Sequence, residues 1–186
     1  YYGTMVPAVP TSHRRMMDGD TIAIGTDPAT AGWTAIAGYG HAPEHIALHN
    51  PSIGVLISGD MVLPRISTNV SVIDLEPEAD PLALYLRTLD RYRTLPADTL
   101  VLPSHGRPFR GLHTRLDQLA SHHDARLADV MAACTAKPCS AADLLPVLFR
   151  PNLDLHQTTF AMGEAIAHLH ALWFEGRLVR TVDGDG

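Results

Sequence analysis

The sequence has few cysteines and no long apolar run, and each absence excludes a class of protein. Its 186 residues include two cysteines, Cys134 and Cys139, with no second pair, which excludes a zinc knuckle. A local disulfide between them stays open, but reduced thiols in a cytoplasmic protein are the favoured interpretation. No uncharged apolar run approaches the roughly 20 residues of a membrane span, and the first residues lack a signal-peptide pattern. We therefore expect a cytoplasmic protein that does not enter a membrane.

Positive charge is also scarce, because the sequence has 14 Lys and Arg residues but 20 Asp and Glu residues, which gives a net charge of −6. A globally basic nucleic-acid binder is therefore disfavoured, since phosphate contacts dominate nucleic-acid affinity. A composition of 46% hydrophobic and 18% charged residues is that of a globular protein. The residue in excess is histidine, with 11 copies. Histidine is the commonest metal ligand and the usual acid–base group near neutral pH.

Apolar patterning predicts strands in the first half of the chain and helices in the second. Short apolar or β-branched runs predict strands at 21–24, 33–37, 45–49, 53–58 and 99–102. Helical periodicity predicts helices at 81–93, 112–134, 140–149 and 155–174. Asp80-Pro81 suits the start of the first helix, as N-cap and first position. On the second helix, His123 falls within an apolar stripe, which predicts a core histidine.

The last part of the chain is predicted to be a separate small module. Ser140 and Asp143 have the spacing of a capping box, and Gly176 suits the end of the last helix. A strand predicted at 177–182 would complete a helix-turn-helix-strand pattern typical of a winged helix. We therefore divide the chain into a domain at 1–136 and a winged-helix-like module at 137–186. The last helix carries no Lys or Arg, so a DNA-reading role is disfavoured and a packing or substrate-covering role is favoured.

Three of the predicted strands lead directly to a side chain that can bind metal, each beside a glycine. The side chains are His41, Asp60 and His105. Strand ends are rigid and the loops beyond them are open, so functional sites of α/β folds lie there. Any one of the three is more simply an unrelated polar residue. Together, two imidazoles and a carboxylate predict a site for zinc or a similar metal ion.

The sequence around these residues resembles the metallo-β-lactamase superfamily. The segment GHAPEH (40–45) resembles that family's G-H-[ST]-P-[EG]-[HS] motif, ISGD (57–60) its F-[ST]-G-D motif, and LPSHG (102–106) its P-[GA]-H-G motif. The tail resembles the helical and winged-helix extension of a subgroup related to lactamase-like endoribonucleases. The matching segments there are HHDAR (122–126) and AHL (167–169). Together these similarities extend over essentially the whole chain.

The resemblance implies an α/β fold, namely one half of an αβ/βα sandwich followed by the winged-helix-like module. It implies that His41 binds a first metal ion, that His105 binds a second, and that the Asp60 carboxylate bridges them. Zinc is expected, with iron and manganese open, and a metal-bridging hydroxide would be the nucleophile because metal ions lower the pKa of water. Arg65 and Arg107 are candidates for binding an anionic substrate group; solvated loop arginines are the alternative.

One family hallmark, the upstream H-x-H-x-D-H motif that supplies most remaining ligands, has no counterpart here. His168 and His170 have the H-x-H spacing but lie on a predicted helix, where we interpret them as part of a helix face. We therefore expect the C-terminal half of a hydrolase, inactive alone, which binds its missing N-terminal half or self-associates through an uncovered sheet face. Its substrate class would be a small-molecule ester, thioester or phosphodiester. The alternative function is a non-catalytic nucleic-acid- or protein-binding module.

Overall fold

The first half of the chain builds one mixed sheet in the computed structural model, which describes residues 2–181. The strands are β1 (Thr21–Ala23), β2 (Gly32–Gly38), β3 (His45–Asn50), β4 (Val55–Gly59) and β5 (Leu100–Pro103). They lie side by side in sequence order. The first four pair antiparallel, whereas β5 pairs parallel to β4. Strands β2, β4 and β5 therefore run in one direction, and their carboxyl ends lie at one edge of the sheet.

The helices follow mainly after the sheet. They are α1 (Tyr2–Met5), α2 (Pro81–Tyr92), α3 (Leu112–Ala136), α4 (Ala141–Leu148) and α5 (Leu155–Phe174). The Asp80 side chain accepts the Ala83 backbone N–H at the start of α2, and Ser140 with Asp143 forms the predicted capping box of α4. These caps satisfy backbone donors that a helix start leaves unpaired. None of the helices in residues 2–181 is long and apolar enough to cross a membrane.

One face of the sheet lies in the core and the other is partly open. On the core side, Ala47, Leu56 and Val101 are fully buried in one apolar cluster with residues of α2, α3, α4 and α5. The opposite side of β4 presents Ile57, which is 36% exposed. Its cross-strand partners Leu48 and Leu102 are only partly buried. The second face is thus apolar without being fully covered by residues 2–181.

The predicted α/β class is confirmed, and most predicted elements form. Strand β4 begins two residues later than predicted, because Gly54, with φ +62°, belongs to the turn before it. The short helix α1 was not predicted. His123 is fully buried on the apolar stripe of α3, as predicted.

The predicted strand at 177–182 is wrong for residues 177–181, which contain no strand; Val182 lies outside the described residues. Gly176, at φ +71°, turns the chain back. The backbone N–H groups of Arg177 and Leu178 then both donate to the Leu172 carbonyl oxygen and cap α5. The described part of the tail is therefore helical without a wing. The domain division after residue 136 stays a prediction.

Candidate metal site

The site is assembled at the edge of the sheet where β2, β4 and β5 end. His41 follows β2, Asp60 directly follows β4, and His105 follows β5. Because these strands run in one direction, three positions far apart in sequence meet at one edge. The parallel pairing of β4 and β5 is what brings His105 to Asp60. The structure thus brings all three predicted ligand residues together.

The Asp60 carboxylate lies between the two imidazoles. Its Oδ2 is 3.5 Å from His41 Nε2, and its Oδ1 is 3.4 Å from His105 Nε2. The side chains of His41, Asp60 and His105 are 27%, 32% and 67% exposed. The site is therefore open to solvent and deepest at His41. Each carboxylate oxygen faces a different histidine, which is the arrangement that a bridging carboxylate requires.

Hydrogen bonds fix the orientation of His41 and Asp60. His41 Nδ1 is 2.8 Å from the Asn69 carbonyl oxygen. A carbonyl oxygen only accepts, so Nδ1 carries the hydrogen and donates it. On the other side, the Ser104 hydroxyl donates to Asp60 Oδ1, and the Thr68 hydroxyl donates to the Asp60 carbonyl oxygen at 2.6 Å. Both candidate ligands are thus held by their neighbours before any ion arrives.

This pattern tests whether a metal ion suits the residues present. With Nδ1 of His41 hydrogen-bonded to Asn69, Nε2 is the ring nitrogen left to bind a metal ion, and it faces a carboxylate oxygen 3.5 Å away. A ring nitrogen and a carboxylate oxygen are both metal donors. Nitrogen and carboxylate oxygen donors suit zinc, iron and manganese. The chemistry of the donor set therefore fits a divalent metal ion.

The ligand set is nevertheless short. Within residues 2–181, no group of three or more His, Cys, Asp or Glu side chains could hold a metal ion by itself. The geometry explains this, because each ion would receive one imidazole nitrogen and one Asp60 oxygen. Catalytic zinc sites typically have three protein ligands. Further ligands are needed for each ion, in line with the absent upstream motif.

Gly59 lets β4 turn sharply into the site. Its φ is +53°, and a Cβ built there would lie 2.2 Å from His45 Nε2. The His45 ring thus packs directly on the turn that presents Asp60. Burial lowers the pKa of His45 and the nearby His41 lowers it further, while Asp60 acts in the opposite direction. His45 is therefore kept neutral and supports the turn.

The two predicted substrate-binding arginines lie on the rim. A Cβ at Gly106 would be 2.7 Å from Pro64 Cγ, so the two loops touch where Arg65 and Arg107 follow. Both side chains are exposed and have no hydrogen-bond or ion-pair partner within residues 2–181. Arg110 differs, since it donates to the Asp98 carbonyl oxygen. Two exposed arginines thus follow the contact between these loops, one of which carries His105.

Sequence reasoning missed a buried polar cluster beneath the site. Glu164 and His168 on α5 are almost fully buried, and His168 Nε2 lies 3.2 Å from His123 Nδ1. His170 is buried as well, with Nδ1 at 2.8 Å from the Ala79 carbonyl oxygen. His168 and His170 therefore pack inside the fold, away from the sheet edge. The two-residue spacing of His168 and His170 does not predict that both are buried, because their burial depends on how α5 docks.

Two family models match the sequence. The metallo-beta-lactamase superfamily matches residues 12–105, and the metallo-beta-lactamase-like C-terminal domain matches residues 127–186. The chain belongs to the metallo-beta-lactamase superfamily. This family implies divalent metal ions, in agreement with the donor set at the sheet edge.

Three relatives show how much of such a protein this chain represents. A beta-lactamase domain protein from Burkholderia ambifaria is 61% identical, with a TM-score of 0.93 over 100% of this chain and 54% of its own. A metallo-beta-lactamase family protein from Thermus thermophilus is 31% identical, with a TM-score of 0.78 over 93% of this chain and 53% of its own. The curated "Probable metallo-hydrolase YqjP" of Bacillus subtilis (strain 168) is 28% identical over 83% of this chain and 49% of its own. The chain spans about half the length of these relatives.

Proposed function

We propose that this chain supplies half of a dinuclear metal-dependent hydrolase site. The observation that carries the proposal is the Asp60 carboxylate, whose two oxygens face His41 and His105 separately. A single carboxylate placed between two imidazoles suits two ions better than one. When bound, divalent ions would polarise a scissile carbonyl or phosphoryl group and lower the pKa of water near it. Zinc is the metal we propose, with iron and manganese compatible with the same donors.

The chain's own residues hold and orient the parts of this site. The Asn69 carbonyl oxygen keeps His41 with Nε2 directed at Asp60, and the Ser104 hydroxyl keeps Asp60 Oδ1 in place. Arg65 and Arg107 would bind an anionic group of the substrate at the opening. An ester, thioester or phosphodiester of a small molecule is the proposed substrate class.

The proposed partner is the N-terminal half of such a hydrolase, docked on the open sheet face. Ile57, Leu48 and Leu102 give that face an apolar surface, and covering it removes apolar area from water. The same half would bring the missing metal ligands. We therefore propose that the chain alone has little or no hydrolase activity, and that it self-associates where the half is absent.

The decisive experiment measures zinc content and zinc affinity. The chelator-treated chain is reloaded with zinc, and metal per chain is measured by plasma mass spectrometry and by titration against a chelating dye. We compare His105→Ala with His156→Ala, an exposed histidine in the first turn of α5. His105→Ala should weaken zinc binding at least about 10-fold, whereas His156→Ala should bind like the parent chain. Equal zinc binding by parent and His105→Ala would overturn the proposal.

A second measurement concerns activity. The zinc-loaded chain is assayed with p-nitrophenyl acetate and bis-p-nitrophenyl phosphate, with a full-length relative as the positive control. We expect no turnover above the rate of free zinc ions from this chain. Turnover that is abolished by Asp60→Asn would show a complete site within the chain and contradict the half-site interpretation.

A further inference from the structure

We propose that Glu164 on α5 is a positioning residue for His41, acting through the Asn69 side chain. The role of His41 as a metal ligand rests on the proposed function, whereas the contacts that orient its ring do not. The proposal gives the C-terminal helix a part in the site although its side chains lie beneath the sheet edge. The contact depends on the close docking of α5 on the segment 69–72.

The docking of α5 is unusually close at Gly163. A Cβ built at Gly163 would lie 2.7 Å from Ser71 Cβ, and the Val72 backbone N–H donates to the Gly163 carbonyl oxygen at 3.1 Å. A larger residue at 163 would push the helix away from the segment. Because Gly163 allows the approach, the next residue, Glu164, reaches Asn69.

Asn69 is held at three points. Its Nδ2 donates to Glu164 Oε2 at 3.3 Å, its Oδ1 accepts the Ser71 hydroxyl at 2.8 Å, and its carbonyl oxygen accepts the His41 Nδ1–H at 2.8 Å. Both ends of the amide are therefore bonded. The side-chain bonds oppose a rotation of Asn69 that would turn its carbonyl oxygen away from His41, and this carbonyl selects the tautomer and the ring plane of His41.

The burial of Glu164 argues against a role in stability alone. The residue is 8% exposed, and its side-chain hydrogen bond within residues 2–181 is the one from Asn69. Burying a carboxyl group with so few partners costs free energy. An apolar residue at this position would avoid that cost. The carboxyl group provides an acceptor for the Asn69 side chain, and through Asn69 it fixes the orientation of the His41 ring.

The test uses the metal-free chain first. The His41 Nδ1–H is observed by ¹H–¹⁵N imidazole NMR, and its exchange with water reports how firmly Asn69 holds it. The variants are Glu164→Ala, which removes the acceptor, and Glu164→Gln, which keeps an acceptor oxygen. The matched control is Glu175→Ala, an exposed glutamate just after α5. Zinc affinity of each variant is then measured with a chelating dye.

We expect Glu164→Ala to speed the exchange of the His41 Nδ1–H at least about 10-fold and to weaken zinc binding about 10-fold. Glu164→Gln should restore both towards the parent values, and Glu175→Ala should match the parent in both. If Glu164→Ala exchanges like the parent, or if Glu164→Gln is no better than Glu164→Ala, the proposal is wrong.

Asn69→Ala provides a second route if Glu164→Ala does not fold. Asn69 is only partly buried, and its backbone carbonyl remains in this variant. We expect the same faster exchange of the His41 proton. Exchange as slow as in the parent would overturn the proposal. An NMR result as expected, from a chain whose zinc binding is unchanged by His105→Ala, would leave the positioning intact and refute the metal site.

Discussion

Two groups of histidines in this protein combine the same residue types in opposite environments. At the open sheet edge, His41 and His105 lie on either side of the Asp60 carboxylate. In the interior, His123 on α3 and His168 on α5 face each other directly. The nearby Glu164 carboxyl group accepts its hydrogen bond from Asn69. The first group presents nitrogen atoms to a negative charge, and the second presents them to one another. Only the first arrangement attracts a cation.

Burial decides the chemistry of the second group. Mainly through burial, with smaller effects of the neighbouring His168 and His122, the pKa of His123 is lowered to about 3. The His123 ring also packs edge-on against the Tyr85 ring, with 5.5 Å between centroids. A histidine kept neutral in this way serves packing and hydrogen bonding. The comparison teaches that a histidine-rich sequence identifies a site only when the group opposite each ring is known.

The largest expected effect separates the two groups by metal binding. Asp60→Asn replaces the bridging carboxylate with a neutral amide, so zinc binding should weaken at least about 100-fold. The measurement is a titration against a chelating dye. Asp90→Asn, on the exposed side of α2, is the control and should bind like the parent. Zinc affinity that survives Asp60→Asn would place the ions elsewhere and break the comparison.

The second effect is a pH dependence of stability that comes from the buried group. Burial raises the pKa of Glu164 from 4.5 to about 7. Between these values the folded state binds more protons than the unfolded state, so the free energy of unfolding falls as pH rises. Glu164→Gln removes this contribution. Relative to Glu164→Gln, the parent should be more stable at about pH 4.5 than at about pH 8, by about 3 kcal/mol at most.

Chemical denaturation of both chains at the two pH values measures this difference. The buried histidines titrate alike in both chains and cancel in the comparison. Glu175→Gln, at an exposed position, should show no such difference from the parent. A parent-to-Glu164→Gln difference that stays constant with pH would show that Glu164 titrates normally.

A smaller effect tests the turn that presents Asp60. Gly59→Ala places a Cβ against the His45 ring at a residue with φ +53°. The free energy of unfolding should therefore fall by about 2 kcal/mol. Gly54→Ala is the matched control, because Gly54 has φ +62° but no atom near its Cβ position. It should lose only the backbone part, about 1 kcal/mol. An equal decrease in the free energy of unfolding for both variants would show that the His45 ring moves aside without a free-energy cost.

The smallest expected effect on stability is at the rim of the open group. Arg65→Ala and Arg107→Ala should change the free energy of unfolding by less than about 0.5 kcal/mol, since both side chains are exposed and unpaired within residues 2–181. Arg91→Ala serves as the comparison variant, because the Arg91 guanidinium donates to the Ala37 carbonyl oxygen and to both carboxylate oxygens of Asp18. It should cost about 1 kcal/mol. Denaturant unfolding measures all three, and a loss at Arg65 as large as at Arg91 would reveal a structural role.

The sequence allows the open group and the burial of His123 to be predicted, but not the contacts that His168 and Glu164 make. His41, Asp60 and His105 each follow a strand that its own apolar run reveals, so local patterns suffice. The contact between Asn69 and Glu164 joins positions 95 residues apart. It exists only because α5 docks on the segment 69–72, and no periodicity encodes which residue of one element meets which of another. Residues 177–181 of the predicted strand form none for a related reason, since Arg177 and Leu178 donate their backbone N–H groups to the Leu172 carbonyl oxygen.

If the Asp60 carboxylate gives each of two ions a single oxygen, as proposed, this has a consequence for assembly. If the remaining ligands come from an N-terminal half, the metal ions and that half do not compete for the same atoms of this chain. Each then completes the binding site of the other. Their affinities are then linked, so that zinc tightens the association by the same factor by which the association tightens zinc. Under that proposal, the free zinc concentration would set how tightly the two halves associate, and the amount of docked half would set how much zinc is bound.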